Sequence, residues 1–366
     1  AKREHVTPWM INNKNIKKIN ISNTKDLSHL RWTVDYPEDI ELIKKIINNM
    51  DSNLEFSWIE ILDLQKKDNK FFEINRKHKR NIGSNICEGQ KLWGRAKKII
   101  PGGNMLLSKR SELFLPEGWP VYYSKTSGCT VWDISNKEYI DMSLMGVGTN
   151  ILGYSNREVD MKVSETISLG NMSSLNCPEE VFLAEKLVKM HPWAEMVRFA
   201  RTGGEANAIA IRIARAATGR DKVAICGYHG WHDWYLATNL KSENSLDEHL
   251  LPGLSPNGVP NSLSGTVIPF SYNDLDSLKE IVKNNNLAAI KMEVERSTPP
   301  TSGFLEGVRE LCLKNGIVLI FDECTSGFRE TFGGIHQKFN VEPDVAMYGK
   351  ALGNGYAITA VVGKKS

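Results

Sequence analysis

The stretch at residues 317–323 reads Ile-Val-Leu-Ile-Phe-Asp-Glu, in which five apolar residues run directly into two carboxylates, Asp322 and Glu323. An apolar run of this length is typical of a short strand that is buried on both faces. Similar runs predict further strands at 222–226, 288–294 and 344–348, and helical patterns predict helices from Pro178, at 205–218 and at 304–314. Strands that alternate with helices predict an α/β fold, with a mostly parallel sheet and helices on both faces.

The composition indicates an ordinary globular protein and excludes some classes of partner. Of the 366 residues, 41% are hydrophobic and 24% charged, and the net charge of +3 is too small to favour nucleic acid or an anionic membrane surface. No apolar run approaches the roughly 18 residues of a membrane span. The six cysteines form no CxxC pair, which fits free thiols in a reducing compartment. We therefore expect a cytoplasmic protein that binds neither nucleic acid nor membranes.

Two polar residues stand where predicted strands end, which is where open α/β sheets bind their ligands. Asp322 follows the apolar run, so its carboxylate should be desolvated and should need a cation such as a protonated pyridine nitrogen. A capping role on the next turn explains this aspartate equally well. Lys350 follows the strand at 344–348 and is flanked by glycines. Such a lysine can form an imine in an apolar pocket, although a solvent-facing lysine is the simpler interpretation of that residue alone.

Two more motifs follow strand positions. Arg201-Thr-Gly-Gly-Glu-Ala places a glycine pair directly before a helix, an arrangement that suits a phosphate but that more often is only a turn. Tyr228, in Cys226-Gly-Tyr-His-Gly, could stack on a flat ring or simply line the rim. His229 and His232 lack a third ligand nearby, so we do not interpret them as a metal pair.

The order of these features carries more weight than any one of them. A phosphate turn, a stacking aromatic, a strand-end aspartate and a glycine-flanked lysine each come at a junction between a strand and a helix. Together they supply a phosphate seat, a ring face, a partner for a pyridine nitrogen and an imine lysine. That set is what pyridoxal 5'-phosphate (PLP) requires.

Residues 91–366 resemble the class III aminotransferases, nearest to their glutamate-1-semialdehyde aminomutase branch. Residues 92–103 (LWGRAKKIIPGG) look like the opening segment of that branch. Thr202-Gly-Gly-Glu-Ala takes the place of its usual Ser-Gly-Thr-Glu-Ala phosphate turn. Gly227-Tyr-His-Gly matches its ring-stacking motif, Phe321-Asp-Glu-Cys its Phe-Asp-Glu-Val, and Gly349-Lys350 the lysine that binds the cofactor.

The resemblance implies a fold, a set of site residues and an assembly. The fold is that of the type I PLP-dependent transferases, the assembly is a homodimer, and the substrate is a small amino or carbonyl compound. Lys350 and Asp322 would be the catalytic residues. The implied cofactor-binding residues are Thr202, Gly203, Gly204, Tyr228, His229, Glu293, Asp322, Cys324 and Lys350. Cys324 stands where a valine of the family packs under the ring.

The sequence departs from the family in three side chains and at its end. Val294 follows Glu293 where the family usually has proline, and Arg296 falls where many members have Gln or Ala near the ring hydroxyl. Gly204 replaces a threonine and removes one phosphate donor. Only 16 residues follow Lys350. Because family members continue into a small C-terminal lobe that closes the site, we expect that lobe to be missing.

Residues 1–80 resemble the tail of a cytidylyltransferase that activates acidic sugars. The motif is Val34-Asp-Tyr-Pro-Glu-Asp, whose first aspartate, Asp35, would be a Mg²⁺ ligand in an intact domain, although a helix N-cap would serve equally well. Pro37 then starts a predicted helix in which isoleucines recur at helical spacing. The nucleotide-binding loop of that family should lie upstream, so we expect a remnant without activity of its own.

The sequence thus predicts three segments: 1–88, a cytidylyltransferase-like fragment; 89–149, an aminotransferase N-terminal segment; and 150–366, a truncated PLP-binding domain. The predicted function is PLP-dependent amino-group transfer, either as an aminotransferase or as a 2,1-aminomutase. Fusion to a nucleotidyltransferase would suit synthesis of a surface sugar. The alternatives are a bifunctional fusion whose main activity is CMP-sugar-type nucleotidyl transfer, and a non-catalytic scaffold with the PLP fold.

Overall fold

The structure, a computed structural model, describes residues 30–365 with gaps at 35, 51–54, 69, 78–87, 117, 171, 243, 248 and 250–254, and also residues 17, 19, 23, 25 and 27. The described residues form two compact units, one up to Tyr123 together with Asp133–Asn136, and a second of Ser124–Trp132 and Lys137 onward. Asp35 and residues 78–87, directly before the boundary expected between 88 and 89, lie outside the described residues. Within the described part, no helix has both the length and the apolar composition needed to cross a membrane.

Among its described residues, the first unit contains three α-helices, α1 Pro37–Asn49, α2 Trp58–Lys67 and α3 Glu88–Ile99. The helix predicted from Pro37 is confirmed, with Pro37 in its first turn. Its buried face carries Leu42 and Ile46, which pack on Phe72, and it also carries the buried carboxylate of Asp39. Arg31 donates to both oxygens of Asp39, at 3.1 and 2.8 Å, so this charge is paired.

The second unit is built on a seven-stranded sheet, and a smaller three-stranded sheet precedes it along the chain. The small sheet has the strands β1 Tyr123–Ser127, β2 Thr130–Asp133 and β3 Glu138–Ile140. The large sheet has β4 Met196–Ala200, β5 Lys222–Cys226, β6 Val267–Pro269, β7 Leu287–Met292, β8 Val318–Glu323, β9 Val345–Tyr348 and β10 Thr359–Gly363.

The spatial order of the large sheet is β4-β10-β9-β8-β7-β5-β6. β10 runs antiparallel to both of its neighbours, whereas the pairings among β5 to β9 are parallel. The predicted mostly parallel sheet is therefore confirmed. The predicted strand at 222–226 matches β5 at both ends, and the run at 317–321 extends further, so that Asp322 and Glu323 lie inside β8.

Helices cover both faces of this sheet, as the sequence predicts. The helices that pack on the sheet are α5 Pro178–Met190, α6 Gly203–Thr218, α7 Leu275–Asn284 and α8 Phe304–Asn315, and α4 Arg157–Leu169 precedes them along the chain. Ile320 of β8 packs in one core with the alanines of α6, whereas its neighbour Phe321 packs in another core with α7 and α8. Successive side chains of a strand point to opposite faces. Asp322 therefore shares the α6 face with Ile320, and Glu323 faces away from α6.

Glu323 anchors a polar cluster inside the core. Its carboxylate is fully buried and accepts hydrogen bonds from the backbone N–H groups of Ile335 and His336, at 3.1 and 3.0 Å. The ring Nδ1 of His336 donates to Glu323 at 2.8 Å, because Nε2 of that ring already accepts from Trp193 at 3.1 Å. The Ser326 hydroxyl donates to the same carboxylate. Of the two adjacent carboxylates, Glu323 is therefore the structural one.

We expect Glu323→Ala to lower the free energy of unfolding by about 3 kcal/mol or more, because several buried donors lose their acceptor at once. Chemical denaturation would measure this. Glu310→Ala on the surface of α8, which removes only an exposed ion pair with Lys314, is the matched control and should change little. Equal midpoints for the two variants would show that the Glu323 cluster does not stabilise the sheet.

Candidate functional site

The candidate site lies at the carboxyl ends of the parallel strands β5, β7, β8 and β9. Tyr228 and His229 follow β5, Glu293 follows β7, Asp322 lies near the end of β8, and Lys350 follows β9. Since these strands are neighbours and parallel, their ends bring these side chains to one edge of the sheet.

Asp322 is a buried carboxylate, only 5% exposed, that accepts three contacts from the chain itself. His229 Nδ1 lies 2.8 Å and Lys291 Nζ 3.3 Å from its Oδ2, and the backbone N–H of Cys324 donates to Oδ1 at 3.1 Å. Burial alone would raise the pKa of Asp322, but the Lys291 ammonium and the His229 hydrogen bond hold that pKa well below its usual range. Asp322 is therefore ionised at neutral pH.

His229 is neutral beside this carboxylate. Burial, together with the nearby charge of Lys291, lowers the pKa of His229 to about 4, even though Asp322 favours the protonated ring. The single ring proton then resides on Nδ1, which faces the carboxylate, and leaves Nε2 as an acceptor. That Nε2 is buried and has no hydrogen-bond partner among the described residues.

Lys291 is a site residue that the sequence analysis missed. It lies in the middle of a predicted strand, 288–294, whose other residues are mostly apolar, and there it looks like an interruption. The structure buries it completely, with Nζ between Asp322 Oδ2 and Met347 Sδ, 3.1 Å from the sulfur. The signal that could have found it is its spacing on the strand, because it falls on the opposite face from Ile290 and Met292.

Lys350 occupies a constrained position directly after β9. Its backbone has φ +43, the left-handed region that a lysine seldom adopts, and such strain is common at functional sites. Its ammonium group donates to Thr325 Oγ1 at 2.9 Å. Burial lowers the pKa of Lys350, against the opposing pull of Cys324 and Asp322, and Arg329 lowers it further. Lys350 is therefore a better nucleophile than a surface lysine at the same pH.

The turn before α6 presents backbone donors beside this lysine. Thr202 caps α6, and its hydroxyl accepts from the Glu205 N–H at 3.2 Å, while the Glu205 carboxylate accepts from the N–H of Thr202 at 3.0 Å. The cap therefore occupies the polar groups of Thr202. Gly203 and Gly204 begin the helix, and N–H groups of a first turn have no partner within their helix. These two N–H groups are the donors that a phosphate can use.

Close contacts tie the turn to the rest of the site. Cys324 Sγ lies 3.9 Å from where a Cβ on Gly203 would stand and 3.3 Å from the corresponding position on Gly349. Gly230 has φ +94, and a Cβ there would lie 3.2 Å from the Gly204 Cα. The loop after β5 thus packs directly on the turn, and Cys324 lies near both the turn and Gly349. Thr359 of β10 donates to the carbonyl of Thr202 at 3.2 Å.

Glu293 and Tyr228 complete the group. Glu293 lies partly buried, with its carboxylate 3.3 Å from Arg296 Nε, and burial followed by the charge of Asp322 raises its pKa to about 7. A Cβ on Gly227 would lie 2.5 Å from Glu293 Oε2, so only glycine fits there. Tyr228 is partly buried and meets Tyr235 edge to face, with ring centroids 6.0 Å apart.

The structure therefore brings together every predicted site residue except Asp35, which lies outside the described residues. His229 contacts Asp322 through Nδ1 at 2.8 Å. Over the described positions, no group of three or more His, Cys, Asp and Glu side chains is arranged to hold a metal ion.

Comparison with known proteins gives one consistent family. Residues 116–366 match the family model described as aminotransferase class-III. The chain is 37% identical over 292 residues to the 3-aminobutyryl-CoA aminotransferase of Cloacimonas acidaminovorans, and 37% identical over 288 residues to the glutamate-1-semialdehyde 2,1-aminomutase of Methanocaldococcus jannaschii. Each match covers 76% of this chain, and the chain spans 65% of the length of each relative.

Solved structures give the same result for the fold. An omega-transaminase from Sphaerobacter thermophilus is 28% identical with a TM-score of 0.67, and the match covers 78% of this chain and 66% of that one. A transaminase with PLP bound is 29% identical with a TM-score of 0.66, covering 75% of this chain and 63% of the other. The fold is that of the type I PLP-dependent transferases.

We expect the Lys350 amine to titrate below an ordinary surface lysine, because burial disfavours its charged form. Trace acetylation over a pH series, followed by mass spectrometry of the cofactor-free protein, would give a titration midpoint for each lysine. Lys338, whose pKa is raised by its exposed pairing with Glu330, is the internal reference. A midpoint for Lys350 at or above that of Lys338 would contradict the expectation.

Proposed function

Since the chain belongs to the class III aminotransferase family, we propose that it binds PLP and moves an amino group on a small carbonyl substrate. The single observation that carries this proposal is the convergence of Lys350, Asp322 and the Gly203-Gly204 turn at one edge of the sheet. A lysine with a lowered pKa, an ionised buried carboxylate and free first-turn N–H groups are three different requirements. PLP needs all three together.

The residues present fit the shape and polarity of PLP. Asp322 is buried and ionised, which suits the ring nitrogen, and the N–H groups of Gly203 and Gly204 suit the phosphate. Gly349 packs closely beside Lys350, because a Cβ on Gly349 would lie 3.1 Å from the Thr359 side chain and 3.3 Å from Cys324 Sγ. We assign the ring face to Tyr228, the pocket floor to Cys324 and further contacts to His229 and Glu293. Thr202 belongs to the phosphate site as the residue that caps its turn.

When bound, PLP supplies an aldehyde that exchanges amino groups and a ring that withdraws electrons from the substrate carbon. The protein supplies the proton transfers and the orientation. The Lys350 amine, held by Thr325, can carry a proton to and from the substrate because its lowered pKa lets it act as a base. Asp322 holds the ring end of the site, and His229 fixes the carboxylate in one rotamer.

The reaction belongs to the amino-group transfers, either between two molecules or within one. The first of the two curated relatives is named an aminotransferase and the second a 2,1-aminomutase, at equal identity, so both modes remain within the proposal. Amino-donor profiling would separate them, since a transferase consumes a second substrate and a mutase does not. A scaffold without catalysis would have no need of the Lys350 and Asp322 environments.

We extend the proposal to a homodimer and to the N-terminal region. Large apolar side chains lie exposed on α4 and α5, among them Ile167, Leu169, Val181 and Phe182, which supports burial against a second copy.

We place the start of the aminotransferase segments near residue 89 and that of the main PLP-binding domain near residue 150. For residues 1–80, the sequence motif around Asp35 supports a fused nucleotidyltransferase remnant that would bind Mg²⁺ only in an intact domain, in a pathway to a surface sugar.

Borohydride reduction is expected to attach PLP to Lys350. The reagent converts the carbon–nitrogen double bond between PLP and a lysine to a stable secondary amine, which peptide mapping locates. Lys350→Ala should lose both the label and the visible absorbance, whereas Lys338→Ala should keep both. A label on any other lysine, Lys291 included, would show that the cofactor lysine is misassigned, and no visible absorbance in the unmodified chain would overturn the proposed function.

Gly230→Ala is expected to weaken PLP binding by about tenfold or more. Its Cβ would press on the Gly204 backbone and push the loop away from the phosphate turn. Gly258→Ala is the matched control, because Gly258 has a similar φ of +89 but, among the described residues, no atom within 4 Å of the added Cβ. Both variants carry the same backbone strain, so fluorescence titration with PLP should separate them. Equal dissociation constants would contradict the close packing.

A further inference from the structure

Lys291 is a charged residue in a place where charge is seldom found. It is fully buried near the carboxyl end of β7, and its neighbours in sequence, Ile290 and Met292, belong to the apolar core on the other face. Lysines are almost never fully buried unless they are paired. The oxygen that lies near its ammonium is Oδ2 of Asp322, at 3.3 Å.

The charges that face Asp322 come from each strand around it. His229 follows β5 and is neutral, since its pKa is lowered to about 4, and Glu293 follows β7 with a raised pKa. Lys350 follows β9 and its ammonium contacts Thr325 instead. Lys291 is therefore the cation in ion-pair contact with Asp322, and the two charges neutralise one another before any ligand binds.

We propose that Lys291 is a positioning residue that acts through Asp322 and weakens the hold of this carboxylate on a proton at the ring nitrogen of PLP. The inference rests on the proposed function. A protonated ring nitrogen would be a second cation on a carboxylate that Lys291 already neutralises, and two like charges beside one acceptor disfavour protonation. The ring in this chain is accordingly less protonated than a lone buried aspartate would make it, and it withdraws electrons less strongly.

The ring-nitrogen contact can be isolated with a cofactor analogue. In 1-deazapyridoxal phosphate a C–H group replaces the ring nitrogen, so the ratio of its dissociation constant to that of PLP measures what the nitrogen contributes. Lys291→Met, with an unbranched apolar chain beside Met347, should raise this ratio at least about tenfold. Lys222→Met on β5, whose amine contacts Asn285 and not Asp322, should leave the ratio unchanged.

A spectroscopic measurement reads the proton itself. With PLP labelled by ¹⁵N in the ring, the nitrogen resonance of the Lys291→Met protein should shift toward the protonated form, and that of Lys222→Met should coincide with wild type. Lys291→Gln keeps an N–H donor and removes the charge, so it should behave as Lys291→Met does and serves if the methionine variant does not fold. The inference would be overturned if, in Lys291→Met or Lys291→Gln, the ratio of the two dissociation constants stayed within twofold of wild type and the ring ¹⁵N resonance did not move.

A double-mutant cycle on the cofactor-free protein tests the pair independently of PLP. Asp322→Asn leaves Lys291 buried without its partner, so its melting temperature should fall below that of the double variant Lys291→Met, Asp322→Asn. A double variant no more stable than Asp322→Asn would show that the pair is not formed and would overturn the inference. If the melting temperatures show the Lys291–Asp322 pair but neither the wild type nor any variant binds PLP, the proposed function is overturned. The role of Lys291 toward PLP is then overturned as well.

Discussion

A carboxylate that is removed from water needs a nearby positive charge or hydrogen-bond donors, because it loses its hydration. Asp322 is buried, so this site must supply them. The chain meets this need with donors from three different elements: a lysine from β7, a histidine from the loop after β5 and a backbone N–H just beyond β8. These contacts with Asp322 connect the three elements, in addition to the backbone hydrogen bonds between the parallel strands. The same contacts fix the direction in which the carboxylate points.

Much of the sheet could be predicted from the sequence because its central strands are buried on both faces. Such strands appear as apolar runs, and the run at 222–226 coincides with β5 for this reason. The sequence patterns do not predict the strands β4, β6 and β10. β4 and β6 lie at the two ends of the sheet, where one side of the strand is unpaired and the apolar signal is weaker. In α1 the isoleucine spacing indicates a helix, but Ile40 and Ile47 are exposed and Leu42 and Ile46 face the core.

The sequence predicts candidate site residues where they stand at the end of an apolar run, as Asp322 and Lys350 do. It does not predict Lys291, which lies inside a predicted strand. Lys350 and Asp322 are visible because parallel strands present their ends at one edge. The apolar pattern alone does not separate the tasks of Asp322 and Glu323, since these depend on which face of β8 each side chain takes. The family resemblance is what singles out Asp322. Thr202 illustrates a different limit, because its hydroxyl matches a phosphate turn in sequence while the helix cap uses it in the structure. Lys291 could be identified as a site residue only from its contact with Asp322 in the structure.

The position of β10 has a consequence for how the protein is made. β4 joins the large sheet through β10, which pairs Ala200 with Thr359, positions separated by about 160 residues of chain. A ribosome reaches residue 359 only after every other strand of the sheet has been synthesised, and domains fold as units during synthesis. We therefore expect β4 to join the sheet last. Pairings of such long sequence separation form slowly, so a nascent chain would place Lys350 and Asp322 on the sheet before β4 completes it.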